Sequence, residues 1–155
     1  MADLVREQIL VALKTAIDAK RTDGTLRFVE RWPVSPFSKW PLPGLALHEG
    51  DERPMGPNMG VSIQRVERVL AIQSEVWTTQ SDPKVSISTT VNTLWKALYP
   101  TYLNAFEAMR NTLLVNWWLL DVIPLQSEAA APLGGLLVTH EVHFRHLVYD
   151  PTVAA

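Results

Sequence analysis

The sequence predicts a single α/β (α+β) domain: a mixed or mostly antiparallel sheet with two main helices packed on one face. Three observations predict it. Apolar residues near the N-terminus recur at helical spacing, a stretch beginning near Val66 alternates with a period of two, and the last third holds two long strand-like segments around a Gly-rich turn. The chain has 155 residues, 47% of them apolar, so one domain with a sizeable core needs no covalent staples.

Each element has its own signal. Val5, Ile9, Leu13 and Ile17, with Ala12 and Ala16 beside them, form one stripe, and Arg6, Glu7, Lys14, Asp18 and Lys20 fill the other side. This predicts an amphipathic helix from about Asp3 to Lys20, closed near Gly24. Pro33, Pro36, Pro41, Pro43 and Pro54 then exclude helix, leaving short strands at Leu26–Arg31 and Leu45–His48. HEGDERPMGPNMG reads as a long loop over about residues 49–60. From Val66 to Thr78 the even positions are mostly apolar and the odd ones mixed, the pattern of a long strand with one buried face. SDP at Ser81–Pro83 offers capping side chains and a proline suited to a first helical turn. The stripe Ile87, Val91, Leu94, Trp95 and Leu98 predicts a second helix ending before Pro100, with a further turn or two in TYLNAFEAMRNT. LLVNWWLLDVIPLQ reads as strand, SEAAAPLGG as turn, and LLVTHEVHFRHLVY as a closing strand.

The chemistry of a site is harder to find. Three of the four histidines, His140, His143 and His146, lie within seven residues beside Glu141. On a helix such a cluster could face one metal, but the zinc-protease pattern fails because the residue four after His140 is Phe144. On a strand, His140 and His146 share one side, lie roughly 20 Å apart at about 3.3 Å per residue, and His143 points the other way. No metal site is expected, and no catalytic or cofactor-binding residue. P-loop, GxGxxG and GxSxG patterns are all missing. The pair Asp51-Glu52 reads as a solvated turn. No cysteine is present, which removes thiol chemistry, and a net charge of −2 gives no basic footprint for nucleic acid. The N-terminus lacks a continuous apolar stretch, so a soluble protein without a leader or membrane span is expected. Six tryptophans are many for this length, and exposed members of the set, Trp40 and one of Trp117 and Trp118, are candidates for an interface.

The element order, LPGLALHEGDE running into Glu49-Gly50-Asp51-Glu52, the Asp82-Pro83 helix start and the closing strand with Phe144-Arg145 before Asp150-Pro151 together resemble the tail terminator (tail completion) proteins of long-tailed bacteriophages. The resemblance implies a virion structural protein, not an enzyme. It would form a homohexameric ring on the tail tube, terminate tail polymerisation and offer a joining surface to the head connector or head-completion protein. DNA would pass through such a ring without being gripped. The implied location is the head-proximal end of the tail in the virion, and the host cytoplasm during assembly. Interface candidates are Glu49, Asp51, Glu52, Arg53 and Met55 in the predicted loop, Trp40 and Trp117, and Glu141, His143 and Arg145 on a mixed-polarity sheet face expected to be free for neighbours. Two other readings remain open: another phage neck component, such as a head-completion or minor tail protein, and a small-molecule-binding or metal-dependent enzyme using His48, His140, His143 or Glu141.

Overall fold

The computed structural model describes residues 3–55, 65–80, 82–127, 133–147 and 150–155. The order is α1 (Val5–Thr22), β1 (Phe28–Arg31), a 3-10 turn at Phe37–Lys39, β2 (Gly44–Pro54), β3 (Arg65–Thr79), α2 (Ile87–Met109), β4 (Leu114–Ser127) and β5 (Leu133–Leu147). The five strands form one mixed sheet in the order β1-β2-β3-β5-β4. β1 runs parallel to β2, and the other pairs are antiparallel. Both helices lie on one face, as the fold class required.

The stripe of α1 buries Val5, Ile9, Leu10, Leu13 and Ile17 against the sheet and α2. Asp23 follows the helix and Gly24, at φ 85, supplies the left-handed residue that ends it. The even residues Leu70, Ile72, Ser74 and Val76 of β3 face the same core, as do Val138, His140, Val142 and Phe144 of β5. This is the alternation the sequence shows.

Four expectations need correction. α2 does not stop before Pro100; it continues to Met109 with the proline inside it. The apolar stripe runs straight on through Leu98, Tyr102, Phe106 and Met109, all buried. Pro100 lies on the exposed side, as does Lys96, whose carbonyl loses its helical partner there, so water can satisfy it. The cap is also elsewhere. Ser86 accepts from the Thr89 amide at 3.2 Å, whereas Asp82 accepts from the Lys84 amide in a separate turn; Ser81 lies outside the described residues. Gly134 and Gly135, expected in a turn, belong to β5. A Cβ on Gly134 would come 3.0 Å from Val91 Cγ2, and one on Gly135 would come 2.9 Å from Trp77 Cδ2, so glycine is what lets β5 pass beneath α2 and against β3.

The fourth correction concerns the long loop. Residues 49–54 are strand, the second half of β2, and only Met55 of the described part leaves it; residues 56–60 lie outside the described residues. The register explains why the sequence hides this. Glu49 pairs with Ile72 and Glu52 with Leu70, three steps on β2 against two on β3, so a bulge at Gly50 and Asp51 absorbs one residue. Gly50 fits there because a Cβ would meet Ala71 Cβ at 2.9 Å. Glycine and charge read locally as loop; cross-strand pairing overrides them.

Candidate functional site

The bulge also decides where the predicted loop residues point. Glu49 faces the helices. Without the extra residue Glu52 would face the other way, but the parity flips and both carboxylates lie on the helix side. There they join an ion-pair chain that ties α1 to the sheet. Arg31 of β1 donates to Glu7 of α1 and to Glu49 at 2.7 Å, and Arg6 reaches Glu52 at 3.0 Å and Glu49 at 3.7 Å. Arg68 closes the chain on Glu52. Hydrogen bonds from Arg31 hold the Glu7 carboxyl below its usual range. At Glu52 burial pushes the carboxyl up, but the bonds from Arg68 and Arg6 outweigh it and the group is lowered. These residues are internal fastenings. Asp51 and Met55 are exposed, and Arg53 emerges on the opposite face.

That opposite face carries no helix, yet it is not the free polar surface expected. Its charges pair laterally between strands. Arg53 meets Glu141 at 3.0 Å, and Trp118 donates its indole N–H to the same carboxylate at 3.0 Å. Glu67 holds Arg145 at 2.6 Å and lies 3.4 Å from His143. His48 and Trp77 both bond Glu75, which lies below its usual range chiefly because of the His48 contact. Glu141 and His143 are consequently buried, at 9% and 6% exposure. Burial pulls the His143 imidazole down, opposed by Glu67.

The histidines separate as strand geometry dictates. His140 lies on the helix side, fully buried in a box of aromatic rings. It stacks on Tyr102 at 5.2 Å and 12°, with Phe106 at 5.1 Å, Trp117 at 6.2 Å and Trp95 at 6.4 Å. Neither ring nitrogen has a hydrogen-bond partner among the described residues, and burial pushes the imidazole down to about 4. His143 and His48 are on the opposite face. Among the described residues no group of three or more His, Cys, Asp or Glu side chains could hold a metal ion.

Two of the tryptophans singled out from the sequence are packed inward. Trp40 is 7% exposed: the segment after β1 folds over one end of the uncovered face, Trp40 stacks on Phe28 at 4.8 Å, and Phe37 stacks on Trp77 at 4.0 Å. Trp40 donates its indole N–H to the Ser35 carbonyl at 2.8 Å. Trp117 is half-buried against Phe106 and donates to Glu107 at 3.0 Å. The exposed one is Trp32, at 55%. Its φ of 49° is a left-handed conformation that costs a side-chain-bearing residue about 1–2 kcal/mol. Val34 beside it is fully exposed.

The largest apolar exposure falls on β4. This 14-residue strand is one edge of the sheet and, among the described strands, is paired with β5 alone. Leu119, Leu120, Val122 and Ile123 are 38–56% exposed, and Asp121 is the strand's one charge. Long apolar edges are normally blunted by charge, shortness or cover. Here Asp121, Pro124 and the register shifts beside Asn116 and Asp121 interrupt this one. The apolar run on both parities, interrupted by Asp121 and Pro124, was the available signal that this strand sits at an edge.

No protein-family model matches this chain, and no curated protein matches it. Its fold is similar to a chain in a solved structure described as the virion of a native gene transfer agent particle, at 16% sequence identity and a TM-score of 0.44, covering 92% of each chain. A likeness of that extent says nothing of activity or partners. No helix among the described residues is long and apolar enough to cross a membrane.

Proposed function

We propose that this chain is a virion structural protein that caps a phage tail tube as a ring, ends tube polymerisation and presents a joining surface to the head connector. The observation that carries the reading is the uncovered side of the sheet with its apolar edge β4. A surface of this kind calls for partners, and identical copies in a closed ring can supply one by head-to-tail contacts. The resemblance to tail terminator proteins in element order supplies the biological setting. Among the described residues Arg53 pairs with Glu141 and Arg145 with Glu67 on the uncovered face, so these cations are already engaged, which suits a ring that DNA traverses. Asp51, Arg53 and Met55 are the loop candidates that remain exposed, and they fit contacts to tube or connector that steer docking.

The test is genetic and morphological. Particles assembled without this protein should carry overlong tail tubes in electron micrographs. Finished tails of normal length beside leaking heads would assign it to head completion instead.

A further inference from the structure

The walls around His140 are not equally firm. Its direct cross-strand neighbours are Ile72 of β3, fully buried, and Leu119 of β4, 45% exposed. Above the imidazole, α2 contributes Tyr102 and Phe106, also fully buried. The remaining ring on the strand side is Trp117, half-buried on the edge strand and tied by its indole N–H to exposed Glu107. β4 is also jointed on both sides of this wall. Its register against β5 shifts between Leu114 and Asn116 and again between Leu119 and Asp121, so the ladder passes over Val115 and Leu120. Between the two bulges, Asn116–Leu119 is a four-residue span paired with His140–His143.

We propose that protonation of His140 opens this span, which swings away from β5 on the bulges at Val115 and Leu120 and lets water reach the imidazolium. Geometry chooses the exit. β3 has β2 beyond it and α2 has its apolar stripe in the core, whereas β4 is the last strand described. No charge inside holds the imidazolium in place. Among the described residues, β3 faces it with Ile72 and Ser74, β4 with Trp117 and Leu119, and the buried side chains of α1 are all apolar. From α2 the one titratable group is the Tyr102 hydroxyl, neutral and bonded to Ser74; Lys96 is exposed and Glu107 lies at the rim. Glu141, His143 and Asp121 belong to the other face of the sheet. Opening would bare Trp117, Phe106 and a new strand edge on β5. It occurs within one chain, so it does not depend on the ring reading.

The closed state binds the proton less readily than the open one, so acid favours opening. With the imidazole near 4 when closed and about 6.5 when solvated, the opening constant at pH 4.5 should exceed that at pH 7.5 roughly 70-fold. Amide hydrogen exchange of the whole chain, followed residue by residue by NMR and normalised to the intrinsic rate at each pH, reads that constant. The protected amides of Asn116–Leu119 should show this rise, and at pH 4.5 they should open at least tenfold more often than those of Leu70–Ser74 in β3. A common value for the span and β3 would mean whole-molecule unfolding and would overturn the local device, as would a span indifferent to pH. In His140→Phe, or in His140→Leu where the larger ring does not fit, the pH response of the span should drop below threefold. A response that persists in the variant would assign release to the Glu107 and Glu141 carboxylates that hold Trp117 and Trp118, and the histidine would have no part in it.

Discussion

His140→Phe tests the central packing claim, that a neutral imidazole sits among aromatic rings with nothing to bond. The ring is fully buried, and burial holds its pKa near 4 against about 6.5 in the unfolded chain. A group that binds its proton less readily when folded stabilises the native state fully above the unfolded pKa and loses that contribution as pH falls. The loss therefore opens below about pH 6.5, reaches about 2 kcal/mol at pH 5 and levels off near 3 kcal/mol below pH 4. Among the described residues no carboxylate offsets it, and the aromatic neighbours are Trp95, Tyr102, Phe106 and Trp117. The Tyr102 hydroxyl, which burial pushes far up, stays neutral and bonded to Ser74. The assay is urea unfolding of both proteins at pH 7 and pH 5. Any cost of fitting the larger ring is the same at both pH values and cancels in the difference, as does the contribution of His143. The wild-type protein should lose about 2 kcal/mol more than the variant between the two conditions. Equal losses would mean that His140 is solvated or bonded in the folded protein, and the buried box would be wrong.

Other substitutions test other parts of the fold. Arg31→Ala strips Glu7 and Glu49 of their shared partner and should lower stability by roughly 1–2 kcal/mol, a loss smaller at high salt, read by chemical denaturation. Pro100→Ala restores a donor inside α2 and removes a clash with the preceding turn, so it should raise stability by about 1–3 kcal/mol; a neutral or negative result would mean the helix does not pass through this position. Gly135→Ala drives a Cβ into the Val76 carbonyl and the Trp77 ring, and should cost about 1–3 kcal/mol in thermal unfolding.

Where side-chain periodicity sufficed, the sequence by itself determined the outcome. The alternation in β3 and β5 put Ile72 and Val142 in the core, and it also separated His140 from His143, so the apparent metal cluster dissolved on geometry alone. The stripe of α1 is equally local: i to i+4 spacing needs no knowledge of the rest of the chain. What only the tertiary structure decided involves partners distant in sequence. Gly50 and Asp51 look like loop until β3 supplies the register, and the resulting bulge sends Glu52 toward Arg6 and Arg68. Pro100 breaks an isolated helix, but the packing of Leu98, Tyr102 and Phe106 carries this one past it. Trp40 among prolines looks exposed until Phe28 and Trp77 provide a surface for the segment to fold onto. The site follows the same division. Apolar residues on β4 are visible in the sequence, whereas their exposure is a consequence of strand order, which places that strand last among the described ones.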